Sequence, residues 1–123
     1  MRVLFICIGN SCRSQMAEGW ARHLGLDCAS AGTDPASSVA GNAVTVMAEV
    51  GVDISQQTPS RVDDFSPGDF DLIFSMGCGV SCSNIQLDGD WELADPVGQS
   101  LDIYRKTRDE IERRVNQLAV PRE

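Results

Sequence analysis

Cys7-Ile8-Gly9-Asn10-Ser11-Cys12-Arg13, with Ser14 directly after it, decides how the rest of the chain is read. An apolar run, Val3-Leu4-Phe5-Ile6, leads into it, and Met16, Ala17, Trp20, Ala21 and Leu24 follow at helical spacing. That pattern is strand, loop, helix. A loop so placed wraps backbone N–H groups around a tetrahedral oxyanion, and the helix behind it points its positive end at the same spot. The expected oxyanion cradle is Ile8, Gly9, Asn10, Ser11, Cys12, Arg13 and Ser14. Cys7 would lie beneath the anion, and Arg13 would offer a planar fork of donors to two of its oxygens. The helix end, Arg13 and the Ser14 hydroxyl all favour a thiolate, which makes Cys7 the expected nucleophile.

The chain has 123 residues, enough for one domain over 1–123 with a single core. Its net charge of −8 argues against a nucleic-acid groove or an anionic membrane surface. The same charge opposes long-range attraction of an anionic substrate, so an anion site must be built locally from N–H groups and one or two arginines. Apolar runs are too short to cross a membrane, and Met1-Arg2-Val3 passes straight into a strand without a signal-peptide pattern. The expected location is the cytoplasm. There are five cysteines, Cys7, Cys12, Cys28, Cys78 and Cys82, an odd number that does not suit a secreted disulfide framework. Four and three residues separate the members of the two close pairs, which is not zinc-site spacing. The single histidine, His23, reads as a partly exposed helix residue. No tightly bound cofactor is expected.

Residues 2–7 read as a central strand that is apolar on both faces. The first helix is expected over 14–25, stopped by Gly25, and a short second strand over 27–31. Residues 32–38 have loop chemistry, and a second helix starts near Ala40 and ends at Gly51. Residues 52–69 look irregular. Asp71–Ser75 reads as a third buried strand, 76–90 as a glycine- and serine-rich surface loop, and Trp91-Glu92-Leu93 as a fourth, short strand. One long helix closes the chain, with Leu101, Tyr104, Ile111, Val115 and Leu118 inward and a charged outer face that offers no dimer seam. The expectation is a monomer of α/β class, with a four-stranded parallel sheet and helices on both faces. Ligands in such sheets bind at the carboxyl ends of the strands, where Cys7, the 76–90 loop and Asp95 should converge.

The run Cys7–Trp20, CIGNSCRSQMAEGW, resembles the loop and first helix of the low-molecular-weight protein tyrosine phosphatase fold. More closely, it resembles the thioredoxin-coupled arsenate reductases built on that fold. Ser30-Ala31-Gly32, Asp53-Ile54-Ser55, the two-cysteine loop and Asp95-Pro96-Val97-Gly98 extend the likeness over essentially the whole chain. The resemblance implies a three-cysteine relay that reduces arsenate to arsenite. Cys7 attacks arsenic, with Arg13 holding the oxyanion and Asp95 acting as general acid. Cys78 then attacks Cys7, and Cys82 moves the disulfide out to Cys78–Cys82 for thioredoxin to reduce. Asn10 and Ser30 are implied as supports of the loop. Some relatives hold a potassium ion with residues matching Asn10, Glu18, Ser30 and Thr58, but Ser60 stands where they have an aspartate. Cys12 reads as a packing or protective thiol, and Cys28 as a small buried hydrophobe.

Two other functions use parts of the same pattern. A tyrosine phosphatase of this fold would need Cys7, Arg13 and Asp95 but not the Cys78/Cys82 pair, and often carries a tyrosine beside the Asp-Pro step. A redox sensor without turnover would keep the cysteines and have no use for Asp95.

Overall fold

A computed structural model describes residues 2–77 and 87–119. Cys78 and Cys82 lie outside the described residues. Four parallel strands, β1 (Arg2–Cys7), β2 (Asp27–Gly32), β3 (Leu72–Ser75) and β4 (Gly89–Asp90), form one sheet in the order β2-β1-β3-β4. Three α-helices connect or follow them: α1 (Arg13–His23), α2 (Gly41–Ala48) and α3 (Leu101–Ala119).

Being paired on both edges and covered on both faces, β1 buries every residue from Val3 to Cys7. Alternation divides those residues between two cores. Val3, Phe5 and Cys7 join Met16, Trp20, Val46, Met47, Ile111 and Val115, so all three α-helices share one face of the sheet. Leu4 and Ile6 join Ala31, Val62 and Ile73 on the other face, beneath Phe65 and Phe70. Helical cover on that second face is two 3₁₀ turns, Val62–Asp64 and Pro67–Asp69, within a stretch that looked irregular in sequence. Each fully buried Leu, Ile or Phe of β1 contributes about 1.5–3 kcal/mol of transfer free energy.

Helix α1 is read nearly as expected and ends in a Schellman turn, with Leu26 N–H on Ala21 O and Gly25 N–H on Arg22 O. His23 is exposed at its end, edge-on to the Trp20 ring. The fourth strand is a correction: it is Gly89–Asp90, before the expected Trp91-Glu92-Leu93. The reason is a local competitor for the ladder. The Asp90 carboxylate accepts the Glu92 N–H at 2.8 Å, and Glu92 turns into the left-handed region at φ 52°, which takes the chain out of strand geometry.

Candidate active site

Five residues bridge the end of β1 and the start of α1, and their carbonyls are tied outward. Cys7, Ile8, Gly9 and Ser11 give their oxygens to the N–H groups of Thr33, Asp34, Ala36 and Ala40 at 2.7–3.2 Å. With the carbonyls so occupied, the loop's inner face is left to N–H groups. Asn10 turns at φ 48°, in the left-handed region that Asn tolerates, and its N–H lies 3.1 Å from Cys7 Sγ. Gly32, opposite Cys7 in the β1–β2 register, has to be glycine, because a Cβ there would meet Ile8 O at 2.5 Å.

Cys7 is buried, with Ser14 Oγ 2.9 Å from its sulfur. The direction of that bond follows from its neighbours. Ser60 N–H donates to Asn10 Oδ1 at 2.8 Å, which fixes the amide so that Asn10 Nδ2 donates to Ser14 Oγ at 2.7 Å. The Ser14 hydroxyl hydrogen is then free for the sulfur. Cys7 Sγ therefore receives two donors, one from the backbone and one from a serine.

Arg13 is 5% exposed and works at two places. Its Nη1 donates to Leu93 O at 3.0 Å and Met76 O at 3.3 Å, drawing the ends of β3 and of the 91–95 segment together. Nη2 lies 3.7 Å from Asp95 Oδ2, and Nε is buried without a hydrogen-bond partner among the described residues. A buried N–H in that position costs about 1–3 kcal/mol unless an acceptor meets it, and an oxyanion is such an acceptor. Asp95 is exposed and accepts the Val97 N–H at 3.0 Å. Cys12 Sγ stands 3.8 Å from the same carboxylate. Burial above all, then the charge of Asp95, pushes the Cys12 thiol up to about 12, in keeping with its place as a donor toward Asp95. Cys7, Ile8, Gly9, Ser11, Cys12, Arg13, Asp95 and Val97 line a pocket of ≈ 250 Å³. The expected convergence at the carboxyl ends of the strands is met for Cys7 and Asp95; of the 76–90 stretch, Met76 reaches the site through its carbonyl on Arg13, while Gly89–Asp90 belong to β4.

Asn10 braces the loop from within, through its amide's bonds to Ser14 and Ser60, whereas the Ser30 hydroxyl is tied to Glu18 of α1. Glu18 accepts the Ser30 hydroxyl at 2.7 Å and pairs with Arg22 at 2.7 Å; Thr58 O accepts from Gln15. The Arg22 guanidinium brings positive charge to Glu18, one of the residues that the resemblance offers to a potassium ion. Among the described residues no three His, Cys, Asp or Glu cluster as metal ligands. Cys28 is half-buried rather than buried; its thiol donates to Glu18 O at 3.4 Å, and burial raises it to about 11. Sequence alone assigned no role to Gln15 or to the 33–40 segment and marked Ser60 only as standing where relatives have an aspartate. The one signal for Gln15 was its place as a polar residue in the run that carries the resemblance.

Residues 2–86 match the profile of the low molecular weight phosphotyrosine protein phosphatase family. The chain belongs to that family. Within it, the chain is 42% identical to the glutaredoxin arsenate reductase of Synechocystis sp., over 95% of each chain. A solved arsenate reductase in its phosphate-binding state superposes with a TM-score of 0.89 at 41% identity, covering 96% of this chain and 95% of that one. A solved mutant of an arginine phosphatase, carrying a phosphorylated active-site serine, gives a TM-score of 0.81 at 25% identity over 97% of this chain and 93% of that one. No helix among the described residues is long and apolar enough to cross a membrane.

Proposed function

We propose that this family member is a cytoplasmic arsenate reductase whose chemistry starts at Cys7. The observation that carries the reading is the Cys7–Arg13 loop. A buried sulfur receives two donors at its floor, and an arginine with an unpartnered Nε stands at its wall. Such a site takes a tetrahedral oxyanion and presents a thiolate to its central atom. The Cys7 sulfur bonds to arsenic, and an oxygen leaves as water with a proton from Asp95. Cys78 attacks the Cys7 sulfur; the S–As electron pair stays on arsenic, which departs as arsenite, and a Cys7–Cys78 disulfide forms. Cys82 attacks Cys78, freeing the Cys7 thiolate and leaving Cys78–Cys82 oxidised by two electrons. A dithiol protein returns those electrons.

Two donors are in play. The resident cysteine pair fits thioredoxin, whereas the 42% identical relative is named for glutaredoxin. Arsenate-dependent NADPH consumption decides between them, run once with thioredoxin and its reductase and once with glutathione, glutaredoxin and glutathione reductase. Turnover is expected with one system and should vanish in Cys7→Ser, Cys78→Ser and Cys82→Ser. Cys82→Ser should trap a Cys7–Cys78 disulfide, visible by mass spectrometry. The second reading, a phosphatase, is favoured by the family's name and by the arginine phosphatase likeness. Release of phosphate from a phosphomonoester, with no arsenate turnover in either system, would replace the reductase by that reading.

A further inference from the structure

Gln15 is wholly buried, and it is the third residue of α1. A Gln or Glu at this position often reaches back to accept the N–H of the residue that caps the helix. Gln15 reaches further and donates instead. Its Nε2 gives one bond to Asn10 O at 3.0 Å and one to Thr58 O at 3.2 Å. Its Oε1 accepts from Gln57 Nε2 at 2.8 Å, and that nitrogen also lies 3.0 Å from Gln15 O. Both hydrogens and the oxygen of the amide are used. Its first partner is the residue whose left-handed backbone sets the N–H against Cys7 Sγ.

We propose that Gln15 is a positioning residue for the oxyanion cradle. Its amide locks Asn10 in the left-handed turn that aims the Asn10 N–H inward, and ties the loop to residues 57–60. Ser60 N–H on Asn10 Oδ1 is the second tie from the same segment. The chemistry requires this side chain. Leucine fills the volume but leaves the buried Asn10 carbonyl without its donor and takes one partner each from Thr58 O and Gln57 Nε2; glutamate sets acceptors against acceptors; asparagine is one methylene short. The proposal deepens the proposed function, because it rests on the loop being an anion cradle.

The test uses the reduced full-length protein and inorganic phosphate, whose dissociation constant is read from protection of Cys7 against iodoacetamide. Gln15→Leu should weaken phosphate binding by about tenfold, the worth of roughly one hydrogen bond to a buried acceptor. Trp20→Phe supplies the reference for plain destabilisation, since one turn and more along the same helix it removes the indole's bond to Arg108 O and some core volume without touching the loop. It should lower Tm and keep the phosphate constant within about twofold. A Gln15→Leu protein that loses Tm but binds phosphate as the wild type does would overturn the proposal. Gln57→Leu, which removes the amide's outer partner, serves if Gln15→Leu does not fold; about threefold weakening supports the lock and unchanged binding overturns it. Phosphate binding is independent of arsenate turnover. A wild type that binds phosphate but does not reduce arsenate loses the reductase reading alone, and one that binds no phosphate loses the cradle and this proposal with it.

Discussion

At Arg13 one guanidinium serves architecture on one side and, in the proposed function, substrate on the other. Its Nη1 holds the Met76 and Leu93 carbonyls, while its Nε waits in the interior. Lysine keeps the charge but loses the fork, so it cannot serve both places. Arg13→Lys should lower kcat/KM for arsenate by about a hundredfold or more. It should also cost about 1–2 kcal/mol of stability, because a carbonyl loses its donor; steady-state kinetics and urea unfolding measure the two losses separately. Glu92 makes the opposite case. An exposed, β-carbon-bearing residue held at φ 52° carries strain of roughly 1–2 kcal/mol, from which glycine's larger unfolded-state entropy subtracts part. Glu92→Gly should therefore raise stability by about 0.5–1 kcal/mol, or roughly 2–4 °C in Tm. A fall in Tm would mean that the Glu92 side chain contributes more than its backbone costs.

Elements meet through charge as well as packing. Glu49, just past α2, takes Arg105 of α3 on both carboxylate oxygens at 2.8 and 3.0 Å and Arg108 at 2.9 Å. The hydrogen bonds to Arg105 are the largest cause of its carboxyl falling to about 2; desolvation opposes them and the Arg108 bond adds to them. The folded value lies below the unfolded one, so this contact favours the fold above about pH 4.5 and is lost as pH falls toward 2. Tm should therefore drop more steeply between pH 5 and pH 2.5 in the wild type than in Glu49→Gln; parallel curves would show that the pair is no more than a screened surface contact. At this scale much was legible beforehand. Strand β1, helix α1 and their loop could be read because hydrophobic period, loop and helix follow one another without a gap. β4 could not, since its end is set by a side chain bonding two residues ahead, and the 3₁₀ turns have too few residues to show a period. The site divides in the same way. Cys7, Arg13 and Ser14 announce themselves by spacing. The support from 33–40 and 57–60 does not, because most of it runs through backbone groups, which any residue carries.

Taken whole, the molecule carries a net charge of −8 around the anion cradle proposed for it. A field of that sign repels arsenate, and under the proposed function the short-range donors of the loop have to reverse that. Screening should help binding, since the Debye length falls from about 30 Å at 0.01 M salt to about 8 Å at 0.15 M. Raising sodium chloride over that range should lower KM for arsenate by about two- to threefold. A KM that climbs instead would place chloride in the cradle as a competitor. Trp91 carries one more consequence. It is buried between the rings of Phe5 and Phe74, at 5.5 and 5.2 Å between centroids, with Arg114 6.0 Å from its own. Two residues on, Leu93 gives its carbonyl to Arg13. Of the two tryptophans in the chain, Trp20 can be replaced by phenylalanine, which leaves a lone indole beside the reacting end of the sheet. The protein thus contains its own fluorophore, and stopped-flow emission could follow the arrival of the anion, and each thiol exchange after it, without any attached dye.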